Sequence, residues 1–554
     1  MNINSTKNSE SDTKESNVKS MRIELSEIKS IIRNDDHQGL QRLLQEDHID
    51  VNAELIIEKG VNHSLLTMAC MMGSINCVKV LLDNGANIIK IPACTRVSFE
   101  RAEFRSPFCY ACTSGNTELL HLLFERGVKL NDSVLLLGFY ILEQSALEAD
   151  KRQAIAAVLI QYITNVDYKE RGHTFLHRVC SIGGINNVKA ILERGVNRDA
   201  PTASLHGHSG QDALCTAAAK GHLDIVELLL GWDKNNPIEM RRVNKAMIEA
   251  ARCDKLKVVQ FLTEYGAEYR TETLVAAARY ARSLDIAEYL LDYGGANING
   301  TLDGDTPLVA LLSNTRTGDE AKLRMARFLL ARGADRNATN CYGKDVLALA
   351  AYNELPDFLQ LILEHSSSQP ITFNQLNTAL LMSLGRSEGV TKCLLDHGAD
   401  VNVTDADGHT PLMLLCSKDC LGRHRHMLEE YLPTIQLLLE RGADPRAVSP
   451  VSGQTALLCA GDYIVAYRLA LSTLLLDHGA DVNQGNATTG ETPLMRAALA
   501  MRITVVKLYL EHGADVMQLN NEGLTVLDLM GDKPEYAMYV ELCREYGDVK
   551  PLLK

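Results

Sequence analysis

The segment LLLDHGADVN, from Leu474 to Asn483, returns as LYLEHGADVM 34 positions on, from Leu508 to Met517, with GETPLMRAA between the copies. A chain that repeats at this period must give each copy the same local structure and bury its apolar face against the next copy. The same words recur elsewhere. Thr306-Pro307-Leu308, Thr410-Pro411-Leu412 and Thr492-Pro493-Leu494 are followed by Gly333-Ala334-Asp335, Gly442-Ala443-Asp444 and Gly513-Ala514-Asp515, and related segments begin at Gly85, Gly266, Gly398 and Gly479.

The chemistry of one unit explains its letters. Thr492 is placed to cap a helix with its hydroxyl, and Pro493 follows at the first helical position, where a missing N–H costs nothing. Ala497 and Ala498 offer a small face for close packing, and Val505, Val506, Leu508 and Leu510 carry a second amphipathic helix. Gly513 can take the left-handed conformation that ends it, after which Ala514-Asp515-Val516 leads into an extended turn.

These elements in this order resemble the ankyrin repeat, a helix-turn-helix plus a β-turn finger in units of about 33 residues. The resemblance implies an all-α fold: an ankyrin-repeat solenoid of about fifteen helix-turn-helix units with short β-turn fingers, spanning residues 21–549. Its first unit, about 21–58, and its last, about 525–549, are degenerate caps, as expected where one face meets water. Residues 1–20 are polar, with too few hydrophobes to offset the entropy of ordering, and are expected to be a disordered tail; 550–554 form a short tail.

At 554 residues the chain is too long for one ordinary core, yet no compositional break divides it, which suits a core that grows unit by unit. An aromatic content of 5% fits thin helices packed through Leu, Ala, Val and Ile. The net charge of -14 argues against nucleic acid, which calls for a basic stripe. The longest apolar run, Val134 to Leu142, is too short to span a membrane, and the polar opening MNINSTKNSESDTKESN does not read as a signal peptide. The expected location is therefore the cytoplasm or the nucleus, with the 14 cysteines as reduced, small apolar residues.

Spacing locates the irregular units. From capping residue to terminal glycine it is 21 for Ser64–Gly85, Ser106–Gly127, Thr174–Gly195, Lys245–Gly266 and Thr492–Gly513. It rises to 27 for Thr306–Gly333, 32 for Thr410–Gly442 and 24 for Thr455–Gly479, all in the C-terminal half. The extra residues are assigned to the turn between the two helices, near 314–320, 417–430 and 461–468. Insertions confined to one kind of loop often mark a working face, although surface loops also tolerate length cheaply.

Several constellations invite chemistry. Cys109 and Cys112 form a C-x-x-C pair but fall on core places of the repeat. Cys416, Cys420, His424 and His426 could ligate zinc, although Cys416 holds a small-residue core place and the others lie in the longest insertion. Arg423-His424-Arg425-His426 reads as a solvated basic loop or a docking point. His177 matches the histidine of the family's TPLH element, where the resemblance implies a brace on the turn. No phosphate loop, GxSxG elbow or HExxH pair occurs, so no enzyme, cofactor or metal site is expected.

The resemblance implies a concave groove, lined by finger tips and the ends of first helices, that binds other proteins, while the fold alone does not name the partner. Carried over unit by unit, the tips are Asp303, Asp305, Cys341, Tyr342, Ala406, Asp407, His409, Thr488, Thr489, Glu491, Asn521 and Glu522. The helix-end positions are Ser313, Asn314, Ser417, Lys418, Leu499 and Ala500. The tips lean acidic, so the expected partner is a protein offering a basic or polar segment to residues 301–524. The function expected is that of a scaffold or adaptor; a substrate-recognition subunit of a ubiquitin ligase and a host-targeted effector stay open.

Overall fold

The computed structural model describes residues 26–46, 49–52, 54–58, 61–87, 106–128, 130–170, 172–200, 212–314, 318–365, 370–417, 431–460, 465–531 and 534–549. Helices dominate among the described residues. Contacts divide it into two compact units, Met1–Tyr269 and Arg270–Lys554.

The first unit holds seven helix pairs: 26–33 with His37–Glu46, Leu65–Met72 with Ile75–Asp83, Pro107–Ser114 with Thr117–Glu125, Asp132–Gln144 with Ala149–Gln161, Phe175–Ile182 with Ile185–Glu193, Ala213–Lys220 with Leu223–Gly231, and Met240–Arg252 with Leu256–Tyr265. The second holds eight: Arg270–Tyr280 with Asp285–Asp292, Pro307–Leu312 with Asp319–Ala331, Val346–Tyr352 with Pro356–Glu364, Phe373–Ser383 with Glu388–Asp396, Pro411–Cys416 with Leu432–Glu440, Ala456–Ala460 with Val465–Asp477, Pro493–Leu499 with Ile503–Glu511, and Val526–Met530 with Ala537–Val549. Within each unit, first helices pack on neighbouring first helices, as Pro493–Leu499 does on Val526–Met530, and second helices on second helices. The core is accordingly a run of Leu, Ala, Val and Ile, with Ala498, Val506, Leu475 and Leu438 fully buried.

The threonine caps are formed, but Lys245, counted as a capping residue by its spacing, lies inside the helix Met240–Arg252. Thr492 accepts a hydrogen bond from the Met495 N–H at 3.2 Å, Thr410 from Met413 at 3.3 Å, and Thr306 from Val309 at 3.4 Å. Where the Thr-Pro-Leu letters are lost the chemistry persists, since Asp345 accepts from Ala348 at 2.7 Å and Asp212 from Cys215 at 2.8 Å. Gly513 has φ 84, the left-handed conformation that closes a helix. Extended pairing among the described residues is confined to two small antiparallel hairpins, Glu54–Glu58 with Val61–Ser64 and Lys169–Glu170 with His173–Thr174, and to single bridges in fingers. Residues 54–58 form the first strand of a finger hairpin at the end of the first repeat unit.

One asparagine ties each of several units to the next. In the C-terminal unit Asn299, Asn402 and Asn483 accept from the backbone N–H of Asp335, Asp444 and Asp515 at 2.8, 2.8 and 2.7 Å. Their amides also donate to the carbonyls of Gly333, Gly442 and Gly513 at 3.3, 3.2 and 3.1 Å.

The insertions depart from expectation in one respect. Only part of the added length lies in a turn, because the second helix Asp319–Ala331 has 13 residues against 9 in Ile503–Glu511, and Val465–Asp477 also has 13. Asp319 and Glu320 stand in the first turn, where carboxylates favour helix, so the helix claims them. Of the insertion at 417–430, residues 418–430 lie outside the described residues, as do the tails 1–20 and 550–554 and the run Arg423–His426.

Candidate partner-binding surface

The fingers of the second unit are built on a brace that the letters of the helices do not reveal. Asn340 Oδ1 accepts from the N–H groups of Tyr342 and Lys344, both at 3.0 Å. Asp405 Oδ1 does the same for Asp407 and His409, at 3.0 and 2.8 Å. Asn486 holds Thr488 and Thr489 at 2.8 and 2.9 Å, and Asn520 holds Glu522 and Leu524 at 3.0 and 2.9 Å. A side chain that satisfies two N–H groups of its own turn fixes the loop without tertiary help. The finger at 302–305 is shorter: Leu302 and Asp305 exchange both backbone bonds at 3.0 Å, across Asp303 with φ 54 and Gly304 with φ 87, the conformation a two-residue hairpin demands.

The brace leaves the tips outward. Asp303, Cys341, Tyr342, Ala406, Asp407, Thr488, Thr489, Asn521 and Glu522 are exposed, Tyr342 at 83%, while His409 is half-buried. Adjacent fingers are also stitched together: the Asn521 side-chain amide donates to Thr488 O at 2.8 Å, and its N–H to Thr489 O at 3.0 Å. His409 Nε2 lies 3.0 Å from Ser452 Oγ.

Two carboxylates of this surface are already engaged. Asp305 pairs with Arg279 at 3.1 Å and accepts from Ser313 Oγ at 3.2 Å; Glu491 lies 3.5 Å from Arg496. Among the helix-end residues Ser313 and Ala500 are exposed, Ser417 and Leu499 half-buried, and Asn314 donates to Arg279 O at 3.1 Å. Lys418 lies outside the described residues. Asp405, Asp407 and His409 bring three ligand-type atoms within 4.8 Å of one another. Asp405 Oδ1 is committed to two N–H groups, however, and three atoms fall short of the four donors of a structural zinc site.

The C-x-x-C pair and His177 resolve into structure. Cys109 and Cys112 are buried, and burial, with the neighbouring Cys109, pushes the Cys112 thiol well above its usual range, which makes it a poor ligand or nucleophile. Cys416 is fully buried; Cys420, His424 and His426 lie outside the described residues. His177 Nδ1 accepts from the Thr174 N–H at 3.3 Å and sits 2.7 Å from Thr174 Oγ1, a brace on the turn.

Sequence reasoning missed a polar cluster in the first unit. Glu143, at the end of the apolar run 134–142, accepts from Ser181 Oγ at 2.5 Å and Arg178 Nη1 at 2.8 Å, with Lys220 Nζ at 3.2 Å. Burial alone would raise its pKa; the Ser181 hydrogen bond and the two cations outweigh that and hold it below the usual range. The signal available was a lone carboxylate in an apolar helix with basic residues in the next two units.

The sequence matches a family model described as ankyrin repeats (3 copies) over residues 29–134, 176–273, 247–340, 274–405, 381–484 and 424–520. It is similar to the Ankyrin repeat and KH domain-containing protein mask-1 of Caenorhabditis elegans, 24% identical over 316 residues, covering 54% of this chain and 11% of that protein. It is also similar to the human (Homo sapiens) Ankyrin repeat and SOCS box protein 6, 31% identical over 198 residues, covering 30% of this chain and 44% of that one. The crystal structure of the ankyrin repeat domain of Bcl-3 aligns over 44% of this chain and 100% of its own, at 27% identity and a TM-score of 0.35.

Proposed function

We propose that this chain, which belongs to the ankyrin-repeat family, is an interaction scaffold or adaptor that holds a partner protein on the fingers and first-helix ends of residues 301–524. Ankyrin repeats are protein-interaction modules. The observation that carries the reading is the division of labour in the fingers. Backbone groups are satisfied by Asn340, Asp405, Asn486 and Asn520, while the tip side chains of Tyr342, Ala406, Asp407, Thr489 and Glu522 face solvent. A rigid loop with outward side chains loses little entropy when it binds.

The outer edge, with exposed Asp303, Asp407 and Glu522, suits a basic or polar segment. Among the described residues no helix is long and apolar enough to cross a membrane. The proposed setting is the cytoplasm or nucleus, with ankyrin repeats over 21–549. A second reading, the substrate-recognition subunit of a ubiquitin ligase, is favoured by the similarity to an E3 ubiquitin-protein ligase of Arabidopsis thaliana, 25% identical over 334 residues. Affinity capture with the full chain, read by mass spectrometry, separates the two. Stoichiometric ligase subunits establish the second reading, a captured client without them supports the first, and no partner at any ionic strength overturns both.

A further inference from the structure

Between the third and fourth helix pairs of the C-terminal unit, charge is left over. The Arg386 guanidinium carbon sits 3.7 Å from the centroid of the Tyr352 ring, and Lys344 Nζ lies 5.3 Å from the same ring. Lys344 Nζ also touches Met382 Sδ at 4.0 Å. The one carboxylate paired with this group is Glu354, whose contact with Arg386 is long at 3.9 Å, and Lys344 has no ion pair among the described residues.

Elsewhere in the same unit arginines find acids closely: Arg279 with Asp305 at 3.1 Å, Arg441 with Asp396 at 2.6 Å, and Arg332 with Asp292. Here two cations gather on one aromatic ring and share one distant carboxylate. They are also held in place. Stacking on an aromatic face fixes a guanidinium while leaving its edge N–H groups to hydrogen-bond, and that edge matches a carboxylate in bidentate geometry. Tyr352 is 42% exposed at the end of a first helix, Arg386 is exposed and Lys344 half-buried, so the group is reached from solvent.

We propose that Lys344, Arg386 and Tyr352 form a receptor for one carboxylate side chain, Asp or Glu, of an extended partner segment. The ring packs against the aliphatic part of that residue and the two cations take its charge. The inference rests on the reading of this surface as protein-binding, and adds an acidic residue to a segment that is basic or polar where it meets the finger tips.

The test uses the full chain labelled with 3-fluorotyrosine, with the Tyr352 resonance assigned by Tyr352→Phe. Triglutamate, triglutamine, trilysine and a phosphoserine tripeptide are titrated in turn. The expected result is a saturable shift of the Tyr352 signal with triglutamate and none with triglutamine or trilysine. The dissociation constant should rise by about tenfold or more in Lys344→Gln and in Arg386→Gln, while the other tyrosine resonances stay in place and report an intact fold. No shift with triglutamate, an equal shift with trilysine, or a shift confined to the phosphoserine peptide overturns the proposal. A captured partner protein alongside a silent triglutamate titration overturns this inference alone; loss of capture as well overturns the reading beneath it.

Discussion

Replacing Asn402 by Ala removes both bonds that tie one unit to the next: the 2.8 Å bond from the Asp444 N–H and the 3.2 Å bond to the Gly442 carbonyl. Both are exposed, so water can re-pair the freed groups, and each bond is worth about 0.5–1 kcal/mol net rather than the larger cost of a buried orphan. The summed loss is about 1–2 kcal/mol, which accelerates local opening by about 5–30-fold. Because each repeat is stabilised chiefly by its neighbours, the effect should be concentrated at the joint between the units ending at Asn402 and Asp444. Hydrogen exchange read by mass spectrometry on peptides covering Asp444 measures it, with peptides covering Asn299 and Asn483 as internal controls. Unchanged exchange around Asp444, or an equal acceleration at all three joints, would refute the idea that this asparagine is a local tie.

Three other outcomes are expected. Thr410→Ala removes the cap bonded to Met413 and should cost about 1 kcal/mol in urea unfolding, whereas Thr488→Ala, an exposed tip, should stay within about 0.5 kcal/mol; equal losses would mean the finger is misplaced. Gly490→Ala should be worse than Gly513→Ala. Both carry the strain of a left-handed residue, about 1–2 kcal/mol, but a Cβ at 490 meets the Asn521 N at 2.6 Å while one at 513 meets nothing within 4 Å. Glu143→Gln should destabilise by about 2 kcal/mol at neutral pH, since it leaves Arg178 short of its partner in a half-buried site. Because the folded Glu143 has a lowered pKa, its contribution is present above the unfolded value of about 4.3 and is lost as pH falls through the folded value. The stability gap between wild type and Glu143→Gln should therefore close in acid, and a gap that widens there would sink the assignment.

The parts of the fold that could be read from sequence are those built by local chemistry. Thr492, Pro493 and Gly513 act within their own unit, so a fixed spacing of 21 exposes them, whereas the caps Asp345 and Asp212 escape it because Ser366 and Asp233 stand where the glycine would be. The tie could have been read the same way, because Asn299, Asn402 and Asn483 each stand four places after a helix-ending glycine, Gly295, Gly398 and Gly479. The charge state of the surface was less accessible. Asp305 and Glu491 read as free tip acids until Arg279, from the preceding first helix, and Arg496, one turn into the following one, are seen beside them. Arg386 stands 34 positions after Tyr352, one repeat on, so their stacking becomes visible only when the sequence is read down a column. The finger tips share an acidic lean but not the same residues from unit to unit, and so the partner itself was never written in the repeat.

The central claim is that the outward finger surface of residues 301–524 captures a protein, and the most direct measurement compares wild type with one triple variant. Asp303→Asn, Asp407→Asn and Glu522→Gln together remove three exposed tip charges without touching Asp305 or Glu491, which are paired within the fold. Partner capture is measured at low ionic strength and at a strength where the screening length falls below about 8 Å. The account predicts weaker capture by the variant at low salt and a flatter dependence on salt, with thermal unfolding unchanged. Equal capture by the two proteins at both ionic strengths would contradict it, and would leave these carboxylates as charges that only keep a long repeat array in solution.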